Sequence, residues 1–120
     1  MYYRDILHSS VQYGEGSRVV LVVGNRSNGI TFGGEEAADI FQELSDEETQ
    51  GLTITGDDLF ERCNQSLLVE LCKACKEDYP DKTIWCITGR EYIEIKSCKL
   101  LKYIDVLVDK TQQIFRIQKS

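Results

Sequence analysis

The run Arg18-Val19-Val20-Leu21-Val22-Val23, ended by Gly24-Asn25, constrains the fold more than any other stretch of this chain. Five consecutive apolar residues, four of them β-branched, leave no polar face to turn toward water. Such a strand must be covered on both sides, the condition of a central strand in a parallel sheet. Three further short strands follow: Gly51 to Gly56, set between glycines, Thr83 to Thr88, again a buried strand, and Tyr103 to Val108. Helical spacing appears between them. Glu35 to Leu44 places Ala37, Ala38, Ile40, Phe41 and Leu44 on one side behind an acidic start, and Asn64 to Tyr79 carries a stripe of Leu68, Leu71, Cys72, Cys75 and Tyr79 before Pro80. Gly24 to Gly34 reads as a loop with a short extended piece at Ile30-Thr31-Phe32. Glu91 to Leu101 reads as a broken helix and Gln113 to Ile117 as an edge strand. Strands alternating with helices predict an α/β fold, a small and mainly parallel sheet with βαβ crossovers. With 120 residues and no internal linker, the expectation is a single domain over residues 1–120.

Charge is unevenly distributed. Residues 1–61 hold twelve acids and three bases, residues 62–120 eight acids and eleven bases, and no lysine or arginine lies between Arg26 and Arg62. That acidic half disfavours direct nucleic-acid binding and suits a basic partner surface. Glu35, Glu36, Glu43, Asp46, Glu47, Glu48, Asp57 and Asp58 are the candidate partner-binding residues, against the alternative of a solvated acidic face. No apolar run has the length of a membrane span, and the opening Met1-Tyr2-Tyr3-Arg4-Asp5 has no signal-peptide character. A cytoplasmic protein is expected, with its five cysteines reduced and packed as small hydrophobes.

Three local patterns have chemical readings. Cys72-Lys73-Ala74-Cys75 is a CxxC, but it sits late in a helix on the apolar stripe, where core packing is the simpler reading. The alternative is a zinc site completed by Cys63, Cys98 or His8. His8, the sole histidine, has no nucleophile at recognisable spacing and reads as a surface or capping residue. Asp57 and Asp58, at a strand's carboxyl end, suit either Mg²⁺ or the capping of the following helix, and capping is preferred.

Several phrases, in order and over nearly the whole chain, resemble one family. Tyr13-Gly14-Glu15-Gly16-Ser17-Arg18, Gly51-Leu52-Thr53-Ile54-Thr55-Gly56, Pro80-Asp81-Lys82-Thr83-Ile84-Trp85 with Thr88-Gly89, and Tyr103-Ile104-Asp105-Val106-Leu107-Val108-Asp109 are similar to segments of the anaerobic ribonucleotide reductase activating proteins, which are radical-SAM glycyl-radical activases. The resemblance implies a truncated partial barrel of the radical-SAM type. It also implies where the chain departs. The family's CxxxCxxC loop, whose thiolates hold a [4Fe–4S] cluster that binds S-adenosylmethionine, corresponds to Asn25-Arg26-Ser27-Asn28-Gly29-Ile30-Thr31-Phe32, which has no cysteine. Gly56-Asp57-Asp58-Leu59 replaces the family's glycine-rich cofactor segment, and Lys110 stands where a glycine follows its "L-V-D".

From these departures the expectation is a degenerate member without radical-SAM activity, with no iron–sulfur cluster and no catalytic residues. It would be a non-catalytic protein-binding regulator or inhibitor, such as a phage or mobile-element inhibitor of a CRISPR nuclease (an anti-CRISPR). Two alternatives stand beside it: an accessory regulator of anaerobic ribonucleotide reductase, and a small zinc or magnesium protein or enzyme using Asp57, Asp58 or the cysteines.

Overall fold

The structure, a computed structural model, describes residues 1–117. In chain order it comprises β1 (Tyr2–Ser10), β2 (Ser17–Gly24), β3 (Ile30–Thr31), α1 (Gly34–Leu44), β4 (Thr49–Gly56), α2 (Arg62–Asp78), β5 (Thr83–Ile87), α3 (Tyr92–Ile95), a 3₁₀ turn at Lys99–Tyr103, β6 (Val106–Val108) and β7 (Ile114–Arg116). The strands form one sheet ordered β3-β1-β2-β4-β5-β6-β7. Its centre, β2-β4-β5-β6, is parallel, while β1 and β3 on one side and β7 on the other are antiparallel additions. The α/β fold expected from the alternating pattern is the one observed.

Each crossover moves one strand along the sheet in the same direction, so the helices collect on one face. Val19, Leu21, Val23, Leu52, Ile54, Ile84, Cys86 and Leu107 point there and share one core with Ile40, Leu44, Leu68, Leu71, Cys72, Ile95 and Leu100. Leu101 and Ile104 are buried in the same core, where the chain makes a 3₁₀ turn that ends at Tyr103, and residues 104 and 105 lead from it into β6. The strand expected from Tyr103 therefore begins three residues late. Asp105, which precedes β6, accepts the Ile84 N–H at 2.8 Å and pairs with Lys76 at 2.5 Å, pinning that turn to α2 and β5.

Among the described residues the opposite face carries no helix. Arg18, Val20, Thr53, Trp85 and Val106 alternate onto it and are nonetheless buried. Their cover is the connection between β1 and β2, residues 11–16, which folds back as a strap. Gly14 lies against the Trp85 ring, and the Tyr13 carbonyl accepts the Thr53 hydroxyl at 2.6 Å. Beneath the strap the Arg18 guanidinium is fully buried. Its Nε donates to Thr53 Oγ1 (2.8 Å), Nη1 to the Glu15 carbonyl (3.0 Å) and Thr83 Oγ1 (3.0 Å), and Nη2 to the carbonyls of Leu52 (3.0 Å) and Thr83 (2.7 Å). The guanidinium carbon stands 5.7 Å from the Trp85 ring centre. Burial lowers its pKa to about 10, against attraction from Glu15 and Asp105. Room for it exists because residue 51 is glycine: a Cβ there would lie 1.9 Å from the Thr83 carbonyl oxygen and 2.7 Å from Arg18 Nη2.

The long first strand was not anticipated from the sequence. It is an edge-type strand whose register with β2 shifts at Tyr3/Asp5 and Leu7/Ser10, so its apolar residues keep no single period. The Arg18→Ala variant should lose about 3 kcal/mol of stability, since it leaves five acceptors without their donor and opens a cavity. Urea unfolding followed by the fluorescence of Trp85, the sole tryptophan, would read that loss.

Candidate functional site at the carboxyl edge of the sheet

In a parallel sheet the loops beyond the carboxyl ends of the strands form the ligand-facing rim. Four meet here: residues 25–29 after β2, 57–61 after β4, 88–91 after β5 and 109–113 after β6. Gly56 makes the first junction. Its φ is +114°, and a Cβ would sit 2.3 Å from the Val23 carbonyl oxygen, so only glycine lets β4 turn this closely across β2. The Asp57 N–H then donates to that carbonyl at 2.9 Å.

The turn carries the Asp57 carboxylate to the β2–β3 loop, where Oδ2 accepts from the side-chain amides of Asn25 and Asn28, both at 3.1 Å. Asn25 Oδ1 accepts from the Ser27 N–H (2.9 Å), the Ser27 hydroxyl (2.7 Å) and the Asn28 N–H (3.1 Å), and Asn28 Oδ1 accepts the Asn25 N–H at 2.8 Å. The loop is closed on itself by its asparagines and latched to β4 by one carboxylate.

Asp58 turns the other way. Its Oδ2 accepts from Arg90 Nη2 at 2.7 Å, and that hydrogen bond, with the charge of Asp58, raises the guanidinium pKa. Neither aspartate side chain caps α2, contrary to expectation. The N-cap is Glu61, without a side-chain cap, and Asp58 contributes only its carbonyl, which accepts Asn64 Nδ2 at 3.0 Å.

Beyond β6, the buried Asp109 accepts the Tyr92 N–H (3.0 Å), the Thr111 N–H (2.9 Å) and the Thr111 hydroxyl (2.5 Å). The Thr111 hydroxyl is the main cause that lowers its pKa. The Lys110 N–H donates to the Arg90 carbonyl at 2.9 Å. Sequence reasoning missed Arg90 and Asp109 as rim residues. An aspartate closing an apolar strand with threonine two residues on was the available signal.

The candidate metal ligands are scattered. Cys63 is exposed, Cys98 half-buried, and Cys72, Cys75 and Cys86 lie in the core. Burial raises the Cys75 thiol to about 12 and holds Cys72 and Cys86 well above the ordinary range, with Cys75 and Cys86 raising Cys72 further. His8 Nδ1 pairs with Glu43, whose other oxygen accepts the Ser9 N–H at 2.9 Å. Among the described residues no group of three or more His, Cys, Asp or Glu side chains is arranged to hold a metal ion.

The candidate partner-binding acids separate into two places. Glu36 folds back to the Gly33 N–H (2.6 Å), Glu43 holds His8, and Asp46 accepts the Glu48 N–H (2.9 Å). Glu35, Glu47 and Glu48 are exposed, and their carboxylates make no hydrogen bond or ion pair among the described residues. Glu47 and Glu48 precede β4 and Asp57 and Asp58 follow it, which separates the pairs by a strand length of about 25 Å.

The sequence matches the family described as "4Fe-4S single cluster domain" over residues 13–116. It is 35% identical over 111 residues to the anaerobic ribonucleoside-triphosphate reductase-activating protein of Enterobacteria phage T4, covering 80% of this chain and 71% of that protein. It is 32% identical over 130 residues to the protein of the same name from Pasteurella multocida, covering 91% and 82%. The chain belongs to the anaerobic ribonucleoside-triphosphate reductase-activating protein family. The counterpart in Haemophilus influenzae is 30% identical over 128 residues, covering 91% of this chain and 83% of that one. No solved structure gives a significant match.

Family membership corrects three expectations. The inhibitor reading, with a CRISPR nuclease as target, has no support, because these relatives are named as activating proteins. The expectation of a non-enzyme is overturned by the same names, which point to an activase. The expectation of no iron–sulfur cluster is overturned by the 4Fe-4S description of the matching family. The donor set of the β2–β3 loop is nevertheless amide, hydroxyl and carboxylate, all engaged with one another, and it offers no thiolate. These residues do not fit a thiolate-held cluster at that loop.

At pH 8 a thiol reagent should label Cys63 fast and Cys72, Cys75 and Cys86 only after denaturant is added. Raising a thiol from its ordinary value to about 12 lowers its thiolate fraction about a thousandfold. Mass spectrometry of labelled peptides reads the order.

Proposed function

We propose that this protein acts on anaerobic ribonucleoside-triphosphate reductase, as a component of that enzyme's activation. The observation that carries the reading is its 35% identity, over 80% of its length, to a protein named for activating that reductase. The parallel sheet supports it by presenting four stitched loops at one rim, a rigid platform on which a partner's segment can be held. Asp57 keeps the first loop closed, and Asp109 and Arg90 join the others.

The exposed carboxylates of Glu35, Glu47 and Glu48 suit a basic surface on the reductase, giving an association that weakens as salt rises. All five cysteines are unpaired, which suits the reducing cytoplasm, and no described helix is long and apolar enough to cross a membrane.

The test is anaerobic. Purified reductase should retain the protein on a column and gain deoxyribonucleotide-forming activity in its presence, with iron and sulfide assayed in the same sample. Absence of both retention and activation would refute the proposal. Charge reversal at Glu47→Lys and Glu48→Lys should weaken retention about tenfold, or about 1.4 kcal/mol, at low salt.

A further inference from the structure

On the helical side, α1 and α2 leave a groove of about 350 Å³ between them, walled by Phe32, Ala37 and Phe41 on one side and Leu67, Leu71 and Ala74 on the other. Phe41 meets Tyr79 at one end, ring centres 6.5 Å apart, and the groove opens at Gly33 and Gly34. A Cβ on Gly34 would meet nothing within 4 Å. Small residues at 34, 37 and 74 therefore leave an apolar trough where larger ones would have closed the helix layer.

The α2 side of the trough is acidic. Glu70 lines it, and helical spacing puts Asp78 on the α2 face that carries Leu67, Leu71 and Ala74, with Glu77 on its flank; all three are exposed. Lys76 is turned to Asp105, while Lys73 lies beyond Glu70 and Glu77, at the outer edge of that flank. Beyond the first turn of α1, the backbone of both walls is already hydrogen-bonded within its own helix. An extended peptide would thus find partners for its main chain only at the open end, beside the first turn of α1. A helix brings its own satisfied backbone and needs only an apolar stripe.

We propose that this groove receives an amphipathic helix of the reductase whose apolar stripe is flanked by lysines or arginines. The inference rests on the proposed function for the partner's identity and adds the surface and the shape of what docks there. Ala37→Trp would fill the trough, and the double reversal Glu70→Lys with Glu77→Lys would change only exposed side chains. Purified full-length protein is titrated anaerobically onto reductase, each variant first checked by circular dichroism, with its mass measured by sedimentation.

Either variant should weaken reductase binding at least tenfold, and the reversal should also flatten the salt dependence. Wild-type protein that binds while the folded variants bind equally well overturns the groove and leaves the proposed function standing. Wild-type protein that fails to bind at all overturns both. Self-association of the wild type that Ala37→Trp abolishes would assign the trough to a second copy of this chain, and the reductase helix would be wrong. Should Ala37→Trp misfold, the surface reversal alone decides.

Discussion

Everything on the helix-free face depends on one buried cation. Among the described residues Arg18 has no carboxylate in contact. Its five hydrogen bonds all end on neutral oxygens of Thr53, Thr83, Leu52 and Glu15. A guanidinium can be tolerated there because each donor is met and an aromatic face lies alongside. The same contacts bring three strands and the strap to one point, so the register of β2 against β4 and β5 and the closure of the face are set together. Gly51 belongs to this arrangement as much as any hydrogen bond, since a side chain there would occupy the arginine's space.

The rim shows a second economy of means. Three aspartates close three loops, each by accepting from groups distant in sequence or from a turn's own N–H groups. Asp57 is the instructive one. Its place in the chain suggests a helix cap or a metal ligand, yet the turn at Gly56 swings it toward the asparagines of another loop. A carboxylate engaged in this way organises the platform, and binding of a partner is then left to the exposed surface around it.

The parallel centre was legible because β2 and β5 are near-continuous apolar runs and β4 is a short strand set between glycines. The first strand was not, because an edge strand with two register shifts keeps no regular alternation. Tyr103 to Asp105 read as strand because apolar residues surround them, but Tyr103 ends the 3₁₀ turn that packs against α2, and residues 104 and 105 only lead into β6. The partners of Asp57 and Asp58 lie 29 to 32 residues away, a distance over which no local pattern reports. The functional expectation failed for a different reason. The absence of thiols from one loop speaks about ligands at that loop, whereas the relatives bear on what the whole scaffold acts upon.

The wiring of Arg18 also orders events during synthesis. The strap and Glu15 are at hand when β2 leaves the ribosome, but Thr83 is 65 residues downstream. Until β5 has been made, the nascent hairpin carries a cation with only part of its acceptors and must keep it hydrated. The acceptor set of this cation is therefore complete only once β5 has been added.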